Sequence, residues 1–192
     1  MRDLLFRTAG LAGLVLVVAC NPTAEAGPEG TPSAARAEAA NTGSEAFVRE
    51  AGLDYFGYYM ADESRVFNGG WRLHHIFIGD RMMFDAFEAA GEPAEEAPVW
   101  LEFWPVGGET AFNELGQEYA VDSRRVRADS FIIESGRFEL RAEDEAIGPV
   151  LVSGAIHPAA IDDPSSGPGF TGGIEVNGDL HRNVSLHYYM GD

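Results

Sequence analysis

Ser135-Gly136-Arg137-Phe138-Glu139-Leu140-Arg141 is the stretch from which the rest of this chain is best read. Phe138 and Leu140 fall on one face, and Arg137, Glu139 and Arg141 on the other. That period of two is the mark of a half-buried strand, because successive side chains of extended backbone point to opposite sides. Ser135-Gly136 carries turn chemistry and joins this strand to the apolar segment 130–134 as a hairpin. Working towards the C-terminus, a strand is expected near 149–157, then two more at 173–176 and 180–190. Asn177-Gly178 between the last two is the strongest two-residue hairpin signal in the chain. In the final strand Val184, Leu186, Tyr188 and Met190 oppose Ser185, His187 and Tyr189.

The N-terminal direction repeats the pattern. A strand is expected near 97–104. Leu73, His75 and Phe77 oppose Arg72, His74, Ile76 and Ile78, and in the segment 54–60 Phe56, Tyr58 and Met60 oppose Tyr55, Gly57 and Tyr59. Gly79-Asp80 predicts a tight hairpin between 72–78 and a further strand at 81–87. Only 47–52 and 110–120 have a helical cast. The expected fold is therefore all-β: one antiparallel domain over 46–192 with about eight strands, as a closed barrel or a two-sheet sandwich, plus one or two short helices.

Composition removes several kinds of chemistry. All 13 basic residues are arginine. Without lysine there is no phosphate-binding loop of the Walker type, no Schiff base and no Ser–Lys dyad. The 31 acidic residues leave a net charge of −18, which argues against nucleic acid and against direct docking on anionic lipid. No H-E-x-x-H or G-x-S-x-G occurs, and Ser153 lies in an expected strand, not at a nucleophile elbow. No cofactor is expected, and an enzyme is less expected than a binding protein.

Val99-Trp100-Leu101-Glu102-Phe103-Trp104 is the strand with most to say about function. Val99, Leu101 and Phe103 share one face, and Trp100, Glu102 and Trp104 the other, so neither face lies unaided in water. One reading buries both tryptophans, with 110–120 as their cover. The other makes Trp100 and Trp104 an aromatic-lined ligand site with Glu102 as its polar anchor. Of the five histidines, adjacent His74 and His75 point to opposite faces of a regular strand and cannot share an ion. His75 with His157 or His187 is the set able to converge on a metal, and Met82, Met83 and Met190 offer soft thioethers. Glu143-Asp144-Glu145 and Asp162-Asp163 lack the spaced oxygen donors of a calcium loop and read as solvated turns. Residues 158–173 form a Pro/Gly/Ser-rich connection suited to the mouth of a barrel.

At the N-terminus, Arg2 and Arg7 outweigh Asp3, and the twelve residues 8–19 carry no charge. Such a run is too short to span a bilayer and suits a signal peptide over 1–19. Val17-Val18-Ala19-Cys20 resembles the lipobox of bacterial lipoproteins. The resemblance implies cleavage before Cys20, acylation of its thiol, and attachment to a membrane through the lipid. Asn21, where aspartate would retain the protein at an inner membrane, implies the outer membrane, facing the periplasm. An acylated Cys20 also leaves no thiol for catalysis or zinc. From 20 to 45 the chain has no aromatic, Val, Ile, Leu or Met residue and is expected to be a disordered tether. Gly69-Gly70-Trp71 contains Gly-x-Trp, which resembles the first-strand signature of lipocalins and implies a barrel whose base Trp71 closes.

Three functional expectations follow. The first is a lipid-anchored envelope protein whose non-catalytic β domain binds a small apolar or aromatic ligand. The second is an interaction or structural module of the envelope. The third is an envelope hydrolase or metal-binding protein that uses the histidines.

Overall fold

The computed structural model describes residues 47–62, 67–90 and 97–191. The expected signal peptide (1–19), Cys20 and the tether (20–45) lie outside them. The strands are β1 (Phe47–Arg49), β2 (Gly57–Ala61), β3 (Phe67–Asn68), β4 (Trp71–Ile78), β5 (Val99–Pro105), β6 (Thr110–Phe112), β7 (Glu118–Ala120), β8 (Arg124–Glu134), β9 (Arg137–Asp144), β10 (Gly148–Ile156), β11 (Phe170–Val176) and β12 (Asp179–Tyr189). Two helices interrupt them, α1 (Arg81–Ala90) and the short α2 (Pro158–Asp162), with a 3-10 turn at Pro164–Ser166. No described helix is long and apolar enough to cross a membrane.

Eight antiparallel strands close into a barrel in the order β8-β5-β4-β2-β12-β11-β10-β9, with β9 pairing back to β8. Closure depends on the length of β8. Its first part, Arg124 to Arg127, pairs with β5, and Ala128 to Glu134 pairs with β9 past a bulge between Ala128 and Ser130. A bulge bends a strand and increases its twist, which is what a sheet needs to meet its own far edge. β1 adds an extra strand parallel to the end of β8, with Phe47 opposite Phe131.

The barrel interior is filled by side chains. Val99, Leu101 and Phe103 of β5 point inward and are wholly buried, as are Tyr59, Phe138, Leu140 and Ile174. Where β10 meets β11, Gly154 lies opposite Gly172. The Phe170 ring occupies the space that a Cβ on either glycine would need, at 2.7 and 2.8 Å. Gly167-Pro168-Gly169-Phe170-Thr171-Gly172 has the glycine spacing of a dinucleotide-binding turn, but it leads into β11 and not into a helix.

Four local expectations change. The segment 81–87 is not a strand but most of α1. Phe84 and Phe87, three apart, are its buried residues, while Met82 is exposed. Asp80 caps this helix rather than turning a hairpin: its Oδ1 accepts from Met83 N–H at 2.8 Å. Residues 47–52 are not helical but hold β1, because Phe47 finds edge-on aromatic partners in Phe87 and Phe131. Residues 110–120 form the separate β6–β7 hairpin. There Asn113 Oδ1 accepts from the Leu115 and Gln117 N–H groups, the local bonding that competes with helix. Residues 158–173 are not irregular throughout: they hold α2, the 3-10 turn and the start of β11. Ala160 is buried and Ile161 packs on the core, so the connection lies against the barrel.

Candidate metal centre on the barrel wall

The outer face of β4 and β5 carries the candidate site. With Val99, Leu101 and Phe103 inside, Trp100, Glu102 and Trp104 stand on the outside of β5. Both tryptophans are nonetheless buried, and side chains of the same wall cover them. Phe77 stacks on Trp100 at 4.8 Å and the Arg125 guanidinium lies 4.0 Å from the Trp100 ring centre. His74 stacks on Trp104 at 3.8 Å with the rings 6° from parallel, and Arg72 lies 5.3 Å from the Trp104 ring. The result is a packed aromatic wall. Concavities of about 340 and 560 Å³ lie elsewhere, one near Arg49, Tyr55 and Phe84, the other on β11 and β12 near Gly172 and Arg182.

A β-bulge sets the histidines. Leu73 pairs with Phe103 and His75 with Glu102, so β4 takes two steps where β5 takes one. His74 is the extra residue. Regular alternation would send His74 and His75 to opposite faces, but the bulge puts both rings on the outer wall. Their Nδ1 atoms lie 2.8 Å apart. Beyond the bulge the inward set is Ile76 and Ile78, so His75 and Phe77 do not share a face with Leu73 as a regular strand would require.

His75 is held tightly. It is 6% exposed, between the edges of Tyr58 at 5.1 Å and Trp100 at 4.9 Å. Burial, followed by the neighbouring His74 and Arg125, pushes its pKa down to about 3, so the ring is neutral at physiological pH. Its Nε2 is buried without a hydrogen-bond partner and sits 4.0 Å from Glu102 Oε2, beyond hydrogen-bond reach. Glu102 is itself anchored, because its Oε1 accepts from Trp104 Nε1–H at 2.8 Å. A neutral His75 carries one proton, and the nearby carboxylate favours it on Nε2. His74 Nδ1–H then donates to His75 Nδ1, whose lone pair faces the other ring. His74, His75 and Glu102 each offer a ligand atom within 4.8 Å of the others.

The other expected ligands are not brought here. His157 Nε2 is 2.8 Å from Thr171 Oγ1, at the end of β10. His187 is exposed on β12 opposite Met60, which in turn lies opposite His75. Two strand spacings, about 10 Å, thus separate His187 from His75. His74 is the ligand that sequence reasoning excluded. The signal for it was the three-residue step between inward-facing Leu73 and Ile76, where alternation requires two. Trp71 begins β4, packs partly buried against the core, and has the Arg124 guanidinium 5.9 Å from its ring. Comparison of the chain with protein-family models, with curated proteins and with solved structures found no match.

Proposed function

We propose that this chain is a lipid-anchored envelope protein whose β barrel binds a transition-metal ion at His74 and His75, beside Glu102, without catalysing a reaction. The observation that carries this reading is the bulge in β4, which spends a strand irregularity on bringing two imidazoles together beside a carboxylate. Imidazole nitrogen suits zinc, copper and nickel, whereas calcium and magnesium take oxygen sets. Arg72 and Arg125 border the site, so an ion is held there by coordination and not by a negative field. The burial of the inward side chains among the described residues supports a metal-binding wall over a carrier of small organic molecules.

Titration of the metal-free full chain in detergent with divalent zinc, copper and nickel tests it. One ion per chain is expected, with uptake lost in His74→Ala. Absence of uptake by the wild type overturns the proposal. The anchor rests on the lipobox resemblance at Val17-Val18-Ala19-Cys20, and Asn21 favours the outer membrane facing the periplasm. Cys20→Ser is expected to leave unprocessed precursor without lipid label; normal cutting and labelling of that variant refutes the anchor.

The β6–β7 hairpin supports a second reading, an interaction module. Val106, Phe112, Leu115, Tyr119 and Val121 are exposed together there, among Glu109, Glu114, Glu118 and Asp122. That mixture suits an apolar and basic partner surface. Phe112→Ser with Leu115→Ser is expected to abolish co-purification of such a partner and leave metal uptake intact.

A further inference from the structure

Resting on the metal-binding reading above, we infer that the His74 and His75 Nδ1 atoms form a right-angle ligand pair selecting a tetragonal ion, copper(II) or nickel(II), over tetrahedral zinc(II), and that Glu102 is a positioning residue for His75 and not a ligand.

The spacing carries the first half. A metal–nitrogen bond is about 2.0 Å, so two ligand nitrogens 2.8 Å apart subtend about 90° at the ion. A tetrahedral centre with the same bonds needs its ligand atoms about 3.3 Å apart. Right-angle sets are the geometry of copper(II) and nickel(II). The packing of both rings opposes opening to the tetrahedral angle. His74 lies flat on Trp104, and His75 is wedged between Tyr58 and Trp100. Solvent fills the remaining positions, since His74 is half-buried and borders open surface.

The direction of each nitrogen carries the second half. His75 turns Nδ1 towards His74 and Nε2 towards Glu102. One imidazole uses one nitrogen on a given ion, so an ion between the two Nδ1 atoms leaves His75 Nε2–H pointing at the carboxylate. This is the carboxylate–histidine–metal arrangement, which sets the tautomer and raises ligand basicity. It also gives the orphaned Nε2 of the metal-free protein its purpose: a contraction of the 4.0 Å gap completes the hydrogen bond. Glu102 is steadied for that role by Trp104 Nε1–H. His74 reaches the ligating state by giving up the proton on its Nδ1.

The test uses the full chain in detergent, metal-free, with copper(II) followed by electron paramagnetic resonance and cobalt(II) by visible absorption. The expected results are an axial copper(II) signal split by two nitrogens, and the weak cobalt(II) bands of a six-coordinate ion. Intense four-coordinate cobalt(II) bands, with the ion still bound, overturn the right-angle inference and leave the metal-binding reading standing. No uptake of either ion overturns both. Glu102→Leu is expected to weaken copper(II) binding about 10–100-fold with the two-nitrogen splitting unchanged, and Glu102→Gln to recover part of the affinity. The melting temperature of each metal-free variant separates this effect from a folding defect. A copper(II) signal that changes to a different set of donor atoms in Glu102→Gln identifies Glu102 as a direct ligand and overturns its positioning role.

Discussion

Acid is expected to unfold this protein partly through a single buried ring. His75 in the folded chain holds its proton only below about pH 3, against an ordinary value of 6.5. The unfolded chain therefore binds a proton that the folded chain refuses throughout that window. The contribution of His75 to stability is complete above pH 6.5 and is lost as pH falls towards 3. One proton corresponds to a full slope of about 1.4 kcal/mol per pH unit, and the unfolded ring is only half protonated at pH 6.5, so moving from pH 6.5 to 4.5 removes about 2 kcal/mol. That is a large share of the roughly 5–15 kcal/mol by which domains are stable. Carboxylates also titrate near the lower end, so the measurement is a difference. Urea unfolding of wild type and His75→Phe, with chelator present, is followed across pH 4.5–6.5. Phenylalanine keeps a ring between Tyr58 and Trp100 but cannot take a proton. Wild type is expected to lose about 2 kcal/mol relative to the variant over the two units. Parallel curves for the two proteins refute the argument, because they show a ring that titrates as if in water.

Two further outcomes follow from the packing. Gly57→Ala is expected to cost about 2 kcal/mol or more, read as a lower urea midpoint, because φ there is +140° and the new Cβ lies 2.6 Å from the Tyr188 ring. Unchanged stability refutes that close approach. Asp80→Ala is expected to cost about 1 kcal/mol through loss of the cap on α1, and Asp80→Asn much less. Equal losses in both variants show that the 2.8 Å bond to Met83 N–H is not what starts the helix.

The parts of this fold that were legible from sequence are those whose cause is local. Phe138 and Leu140 alternate with charged neighbours, and a period of two admits only one extended arrangement at a water boundary. Asn177-Gly178 supplies a residue at φ 51° and a glycine at φ 87°, so the last hairpin follows from two residues. Val99, Leu101 and Phe103 are inward for the same reason, and the face carrying Trp100, Glu102 and Trp104 was separated from them by alternation alone. The segment 81–87 was misread because Phe84 and Phe87 also fit a short apolar run. Their spacing becomes decisive only once Asp80 is seen to cap and the core lies on one side.

Tertiary structure decided the rest, through pairing between segments distant in sequence. Barrel or sandwich was settled by β8, whose bulge lets Ala128 to Glu134 pair with β9 after Arg124 to Arg127 have paired with β5. The histidine cluster has the same origin. Within Leu73-His74-His75-Ile76 nothing local says which residue is extra; that is fixed when Leu73 takes Phe103 and His75 takes Glu102 across the strand. One residue of slippage reverses the face of every side chain beyond it. It therefore joins His74 to His75, brings Glu102 beside them, and leaves His157 and His187 apart. Sequence determined which side chains this protein owns and which strands present them; register, set by burial on the far face of the sheet, determined which of them meet.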